Sequence, residues 1–412
     1  MGKLATGLSS PNGMPVGSPG GRREEGQFSV SESRWTVTEH RGQEGFASVE
    51  ADWRRLYAEM LNPSMWHSFE AYQCYLEHLC PSPNGFRCLA LDDGSHVQAI
   101  LPLEERVEHA LGVPVRVWGL PSSDAWRISD AIGPDNEGRR VLLAEVLAHI
   151  RRDPKRPSLL MLGRVPQSAG EWHVLDGVGE GERVTYPDGA LFIIKTDSVE
   201  ALLGRLSGSG RKKLSVAQQH FESLPGARYV SCKEPAQLAE EFEHFLDVEA
   251  SGWKGQQGTA VKLNPELEAF YRGLTQTMKQ DGWCEIHSLH AEDRCIASEF
   301  CVFTGGQCDA PKAGYDEAYS RIMPGKLLLN LGLQACCEDP RIEFANEMSD
   351  AEWIQLWHPE SDELAVEYTA LRPISGRLLV AALRLRFGPV RRMVRKYRAW
   401  HARREARPSS AR

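Results

Sequence analysis

One order of predicted elements is written twice along this chain, and that repeat constrains the fold more than any other feature. In the first half, apolar periodicity predicts helices over 51–61 and 68–79. A hairpin follows, with alternating apolar runs at 86–91 and 97–103 around Asp92-Asp93-Gly94. Asp-Gly between such runs is a strong turn signal. A third strand at 115–120, a helix over 139–151 and a strand at 158–162 complete the unit. The second half predicts helices over 199–206, 211–224, 235–250 and 267–281. A hairpin then turns at Ala291-Glu292-Asp293, followed by a strand at 308–315, a helix from Pro324 and a strand at 342–345. Self-similarity on this scale points to a duplicated α/β (α+β) domain, each copy a mixed sheet flanked by helices.

The copies differ at one place. In the second, Pro324-Gly325-Lys326 opens the helix after the third strand. Proline costs nothing in a first helical turn, and glycine lets a ligand approach the backbone. Free N–H groups, the helix dipole and Lys326 together favour an anion. The first copy has GLPSSDAW (119–126) where the second has AGYDEAY (313–319), and no such helix start. The second copy alone is expected to hold a phosphate-bearing cofactor. The stretch is not a Walker A loop, because position 320 is Ser and position 327 is Leu.

Charge separates body from tail. Residues 372–412 carry 13 Lys/Arg against Glu405, so a net charge of −8 hides a body near −20 and a tail near +12. In the tail Leu379, Leu383, Phe387, Val390, Val394 and Tyr397 fall on one helical face, with arginines on the others. Such a basic amphipathic helix suits an anionic membrane surface, or packing on the chain's own acidic body. The acidic body disfavours nucleic acid. No run of about 18 apolar residues suggests a membrane span, and the start lacks an apolar signal core. A cytoplasmic protein follows, with peripheral contact at the inner membrane face open to it. The ten cysteines show no C-x-x-C, and no His pair stands at metal spacing, so no metal is expected. HExxH and GxSxG are absent as well. The expected divisions are a disordered segment at 1–32, domains at 33–185 and 186–371, and the tail at 372–412.

EASGWKGQQGTA (249–260), KAGYDEAYSRIMPGKLLL (312–329) and FANEMSDAEW (344–353) resemble the GNAT-type N-acyltransferases of the CelD/BcsL, cellulose-biosynthesis-like group, which are related to FemAB-like aminoacyl transferases. LPSSD (120–124) and SGSGRKKL (207–214) fit the same pattern, and the resemblance runs from about 35 to about 370. It implies tandem GNAT-like domains, an acyl-CoA thioester as donor and an amine as acceptor, on an amino sugar, a polysaccharide precursor or an amino lipid. It also leaves open an aminoacyl-tRNA-dependent transferase, or an inactive scaffold of exopolysaccharide synthesis.

In such folds the third strand splays from its neighbour and its backbone N–H groups meet the thioester carbonyl; here that strand is 308–315. The amine must also lose a proton, and the thiolate must leave. Glu299, a lone carboxylate in IASEFCVF, and Asp316 are the candidate bases, since burial raises a carboxyl pKa toward that task. Tyr315 is the candidate acid or substrate contact, and Lys312 an anchor for an anionic group. Alternation places Asp309, Pro311, Ala313 and Tyr315 on one face, Lys312 and Asp316 on the other. Pro324, Gly325 and Lys326 are assigned to the CoA diphosphate. Trp253 and Lys254 are candidates for the acceptor pocket, with Asp124, Arg211 and Lys212 as further substrate contacts. Plain structural roles stay open: Asp316 as a loop cap, Asp124 as a helix cap, Tyr315 as a core aromatic.

Overall fold

The computed structural model describes residues 34–387, apart from 111, 124, 171–181 and 280–281. The expected disordered segment and the end of the basic tail lie outside these residues, and Trp35 onward forms one compact unit. The first half contains β1 (Thr36–Arg41), α1 (Gly42–Ser48), α2 (Glu50–Glu59), α3 (Phe69–His78), β2 (Arg87–Asp92), β3 (Val97–Ala110), β4 (Val113–Gly119), α4 (Glu137–Arg152) and β5 (Leu159–Pro166). Then come β6 (Arg183–Lys195), α5 (Val199–Arg205), α6 (Gly208–Glu222), β7 (Arg228–Cys232), α7 (Pro235–Ser251), α8 (Trp253–Gln256) and α9 (Pro265–Met278). The last elements are β8 (Cys284–Ala291), β9 (Arg294–Thr304), β10 (Gln307–Tyr315), α10 (Pro324–Glu338), β11 (Phe344–Asn346), β12 (Glu360–Ala370) and α11 (Ser375–Leu385).

Both hairpins form where the turn residues place them. Gly94 takes φ 93°, and Glu292 and Asp293 take φ 52° and 60°, the left-handed pair that a two-residue turn requires. Ser68 caps α3 and Asn136 caps α4 by accepting backbone N–H bonds. One helix start differs from expectation: α6 begins at Gly208, with Ser207 accepting from the Gly210 N–H. Ser207-Gly-Ser-Gly210 is therefore a helix opening and not the end of the preceding helix.

All strands join one sheet in the order β1-β2-β3-β4-β5-β12-β6-β11-β10-β9-β8-β7. The order reads alike from both ends, as a duplication requires. Its centre carries an exchange. β6 follows the first half in sequence but pairs with β11, and β12 follows the second half but pairs with β5. The two exchanged strands pair with each other from Glu360↔Ile193 to Thr369↔Arg183. β6 runs without a break through residues 185 and 186.

One face of the sheet is covered by helices from both halves. Trp53, Trp66, Tyr72, Trp126, Phe242, Phe270 and Phe300 belong to one continuous core. Trp66 stacks on Phe270 at 6.4 Å and meets Trp126 edge-on at 4.9 Å. Gly273 of α9 lies so close to α3 that a Cβ there would stand 3.2 Å from Cys74 Sγ. The other face is covered by α4 over the first half, and by α5, α6 and α10 over the second. The described part of the tail, α11, packs Val380 and Leu383 against β4, β5, β6 and β12. Arg377 pairs with Glu182, and Arg384 donates to the Arg183 carbonyl.

Since β12 closes the first half-sheet and β6 the second, neither half has a complete sheet alone. A chain ending at residue 359, which lacks β12, is expected to show no cooperative thermal transition by circular dichroism, whereas a chain ending at 387 melts in one step. A surviving transition in the shorter chain would show that the halves fold independently.

Candidate active site at the splay of β10 and β11

β10 and β11 run parallel, but they pair only over Gln307–Asp309 and Phe344–Asn346. β11 then ends, while β10 continues to Tyr315 alongside β9. Past Asp309 the far edge of β10 has no strand partner. The β9–β10 register shifts between Asp309 and Lys312, which marks a bulge at Ala310-Pro311. The bulge overturns the expected alternation. Asp309, Lys312 and Gly314 lie opposite Val302, Phe300 and Ser298, on the face covered by α7 and α9. Ala313 and Tyr315 lie opposite Glu299 and Ala297, on the α10 face.

α10 starts at Pro324, as expected, after Met323 in a left-handed conformation at φ 49°. No side chain caps this start, and its first turn holds no acidic residue. The Tyr315 ring rests on Gly325, where a Cβ would lie 3.1 Å from the Tyr315 Cδ1, and Tyr315 stays 38% exposed. Pro324, Gly325, Lys326 and Tyr315 thus form one cluster at the outer end of β10. The first copy is built differently. There Arg139, in the first turn of α4, folds back to donate to the Ala131 carbonyl at 3.0 Å and to Asp130 at 2.7 Å. Asn136 also caps α4, whereas no side chain caps α10.

The free edge of β10 meets the corner between α7 and α8. Lys254 Nζ donates to the Ala313 carbonyl at 2.7 Å and lies 3.1 Å from Glu249 Oε1. Glu249 is buried, and its other oxygen accepts from the Val261 N–H at 2.8 Å. A Cβ at Gly314 would stand 2.4 Å from the Glu249 Cα, so only glycine fits there. Trp253, beside Lys254, is half exposed. Lys254 therefore touches the splayed strand, and Trp253 is its neighbour in the chain.

Buried acids flank the splay on both faces. Glu299 and His287 sit side by side on β9 and β8, under Gly332 of α10. A Cβ on Gly332 would lie 2.9 Å from His287 Nδ1 and 3.7 Å from Glu299 Oε2, so the helix leaves room for both. Glu347, the first residue after β11, is buried too. Burial pushes Glu299 up to about 7, with the His287 charge opposing. Burial, reinforced by the Glu299 charge, drives Glu347 well above the usual carboxylate range. Burial works against a charged His287, but the Glu285 carboxylate 3.5 Å away and further negative neighbours raise it on balance. The two carboxyls thus disfavour each other's ionisation, and both hold their protons to higher pH than an ordinary glutamate. On the opposite face Asp309 accepts from the Met65 N–H at 2.8 Å through one oxygen, and its other oxygen has no partner. Burial raises it to about 7.

The remaining candidates fall elsewhere. Asp316 accepts from the Ala318 N–H and pairs with Arg294 at 2.9 Å, so the loop-cap role describes it and both oxygens are engaged. Arg211 and Lys212 are exposed at the start of α6. Early α6 (Leu214) packs with Leu333 and Trp357, and late α6 (Phe221) with Leu327 and Leu328. α6 thus runs antiparallel to α10, and its basic residues lie away from Pro324. Lys312 is half-buried on the α7 face. Asp124 lies outside the described residues. His287 and Glu347 were not anticipated; for His287 the cue was a strand, CEIHSLHA, that sets Glu285, His287, Ser288 and His290 among apolar residues.

Glu299→Gln tests the burial of this acid. A carboxyl whose folded pKa is raised holds its stability below the unfolded value near 4.5 and loses it as pH climbs toward 7. The variant is expected to match the parent at pH 4.5 and to exceed it by about 1–3 kcal/mol at pH 8 in urea unfolding. Greater stability of the parent at pH 8 would mean that Glu299 is ionised and well paired.

Residues 208–353 match the family model Acetyltransf_6, described as an acetyltransferase (GNAT) domain. Among solved structures, FemX is similar with a TM-score of 0.52 at 10% identity, over 79% of this chain and 97% of that one. The C-terminal domain (DUF2156) of a candidate lysylphosphatidylglycerol synthetase from Agrobacterium fabrum is similar with a TM-score of 0.50 at 10% identity, over 81% and 96%. A protein of unknown function from Bacteroides thetaiotaomicron is similar with a TM-score of 0.50, over 78% and 97%. At such identity these structures share the fold alone. No curated protein matches the chain. With a GNAT domain over 208–353, on a duplicated mixed α/β sheet, the chain is an acyltransferase.

Proposed function

We propose that the chain is an acyl-CoA-dependent N-acyltransferase of the CelD/BcsL kind, with its CoA site in the second copy, at 186–371, and the first copy spanning 33–185. One observation carries this reading: an uncapped helix start, Pro324–Lys326, stands beside the outer end of a strand whose edge is free past Asp309. The CoA diphosphate would meet the N–H groups of Gly325 and Lys326 and the Lys326 ammonium, with Tyr315 against the cofactor. The thioester would lie along the free edge of β10. The acceptor amine gives its proton to the Glu299–Glu347 pair, with Glu299 as the base, and attacks the thioester carbon. The new C–N bond forms, the C–S bond breaks, and the departing thiolate takes up the proton that the amine gave, so that CoA leaves as the thiol and the carboxylate is restored. Backbone N–H groups past the bulge would hold the oxyanion.

Trp253 and Lys254 would border the acceptor, and Lys312 would anchor an anionic part of it. The acceptor class is an amine of an amino sugar, a polysaccharide precursor or an amino lipid. Two features support a place at a membrane surface: the basic tail, and the exposure of Ile374, Leu378 and Leu385. Among the described residues no helix is long and apolar enough to cross a membrane. An aminoacyl-tRNA donor is the weaker reading, because the body is acidic.

The test is to incubate the purified protein with a panel of acyl-CoAs and amines and to follow free thiol, with CoA binding measured by calorimetry. Thiol release with at least one pair, insensitive to ribonuclease, is expected. Absence of both binding and thiol for every pair sinks the reading, and binding without turnover marks a scaffold. Gly325→Asp separates site from fold. An acid in a first helical turn suits the dipole, and the partly exposed Tyr315 ring can give the few tenths of an ångström that a Cβ needs, so the melting temperature should hold while CoA affinity falls at least tenfold. Unchanged affinity would refute the diphosphate assignment. Activity should rise with pH through about 7 as Glu299 ionises, and Glu299→Gln should abolish that limb.

A further inference from the structure

The strongest unassigned cluster lies on the α7 face, outside the acyl-transfer site. Glu241 and His244 stand three residues apart on α7, so both point the same way, toward β8. His290 faces them from β8, on the side chain alternation that also carries Ile286 and Ser288 into the α7–α9 layer. The imidazole and carboxylate donor atoms of the three residues all lie within 4.8 Å of one another. His290 Nε2 is 3.2 Å from Glu241 Oε2, and His244 Nδ1 is 3.5 Å from Glu241 Oε1. His244 Nδ1 is buried and makes no hydrogen bond, so one lone pair or proton faces the cluster without a partner. The Ser288 hydroxyl donates to Glu241 Oε2 at 3.1 Å, which fixes the carboxylate from behind. His290 is 3% exposed at its side chain and Glu241 13%, whereas His244 is 38% exposed, so the cluster opens to solvent on one side only.

We infer that Glu241, His244 and His290 form a binding site for a divalent d-block cation of the Zn²⁺ type. Two neutral imidazoles and one carboxylate are the donor set that such an ion takes with a water in the fourth place. Neutral histidines give the bare cluster a charge of −1, which a dication offsets. A bound ion would join α7 to β8. The far end of α7 carries Glu249, which packs on Gly314 of β10, about 12 Å along the helix from Glu241. The ion would therefore hold in place the helix that supports the splayed strand, without touching the reacting atoms. Sequence reading missed the site because its ligands come from two elements nearly fifty residues apart, and Glu-x-x-His alone is a common pair on helices.

The experiment uses the full chain after treatment with EDTA. Co²⁺ and Zn²⁺ are titrated at pH 7.5, Co²⁺ by its visible d–d bands and Zn²⁺ by competition with a chromophoric chelator. One equivalent of each is expected to bind, with tetrahedral-type Co²⁺ bands and a melting temperature that rises on binding. His244→Ala, at a half-exposed position, should keep the far-ultraviolet circular dichroism of the parent and lose at least tenfold in affinity. His290→Gln should do the same. A near-ultraviolet thiolate-to-cobalt band would assign the ion to the separate buried set of His287, Glu299 and Cys301 and overturn the proposal. No binding at 10-fold excess over about 10 µM protein, or binding unchanged in both variants, would overturn it as well.

Discussion

The pairing of β6 with β12 is what the rest of the structure depends on. These strands leave their own halves and meet at the centre of the sheet, paired from Glu360 to Thr369 with one register shift between Glu363 and Ala365. Each then completes the half-sheet of the other copy through β5 or β11. Arg183 and Glu367 pair at 2.6 Å across this seam, with Glu367 almost fully buried. A buried pair of this kind is weak as a source of stability, but breaking it leaves a charge unpaired. It thereby fixes the register of the one ladder that links both copies. The shared aromatic core, from Trp53 to Phe300, then adds the burial that a single copy would lack.

Duplication left the two helix starts free to diverge. In the first copy Asn136 caps α4, and Arg139 in its first turn makes a buried ion pair with Asp130. In the second, Met323, Pro324 and Gly325 leave the start of α10 uncapped, under the partly exposed ring of Tyr315. The same scaffold thus presents a capped helix start once and an uncapped one once. The site also divides its tasks between faces. The helix start and the Glu299–His287–Glu347 set belong to the α10 face, whereas Lys254, Glu249 and Asp309 belong to the α7 face or the strand edge.

Much of this was legible in the chain itself, and the physical reasons for the rest are specific. The hairpins, the long helices and the Pro324 start follow from turn residues, amphipathic spacing and the tolerance of proline at a first turn. β6 and β12 were not legible. β6 contains Pro187, Asp188 and Gly189, a breaker cluster, and β12 opens with the polar run Glu360-Ser361-Asp362-Glu363. Both are strands through pairing partners far away in sequence, which local pattern cannot report. The face of Lys312 was misread because one bulge at Ala310-Pro311 reverses the alternation after it. Glu299 was found because it is a lone acid in an apolar run. His287 escaped notice because it looks ordinary until α10 closes over it at Gly332, and Glu347 because nothing local marks the end of a three-residue strand as buried.

The strand exchange has a consequence for synthesis. β5 ends at Pro166 and its central-side partner β12 ends at Ala370, roughly 200 residues later. At about 5–20 residues per second, the ribosome leaves that edge without its neighbour for roughly 10–40 seconds. Through that interval the nascent first half presents Leu159 to Val165, a mostly apolar strand, with one ladder of N–H and C=O groups open. A chain built in this way calls for a chaperone at the exit tunnel, or a partner for that edge, until its own last strand arrives.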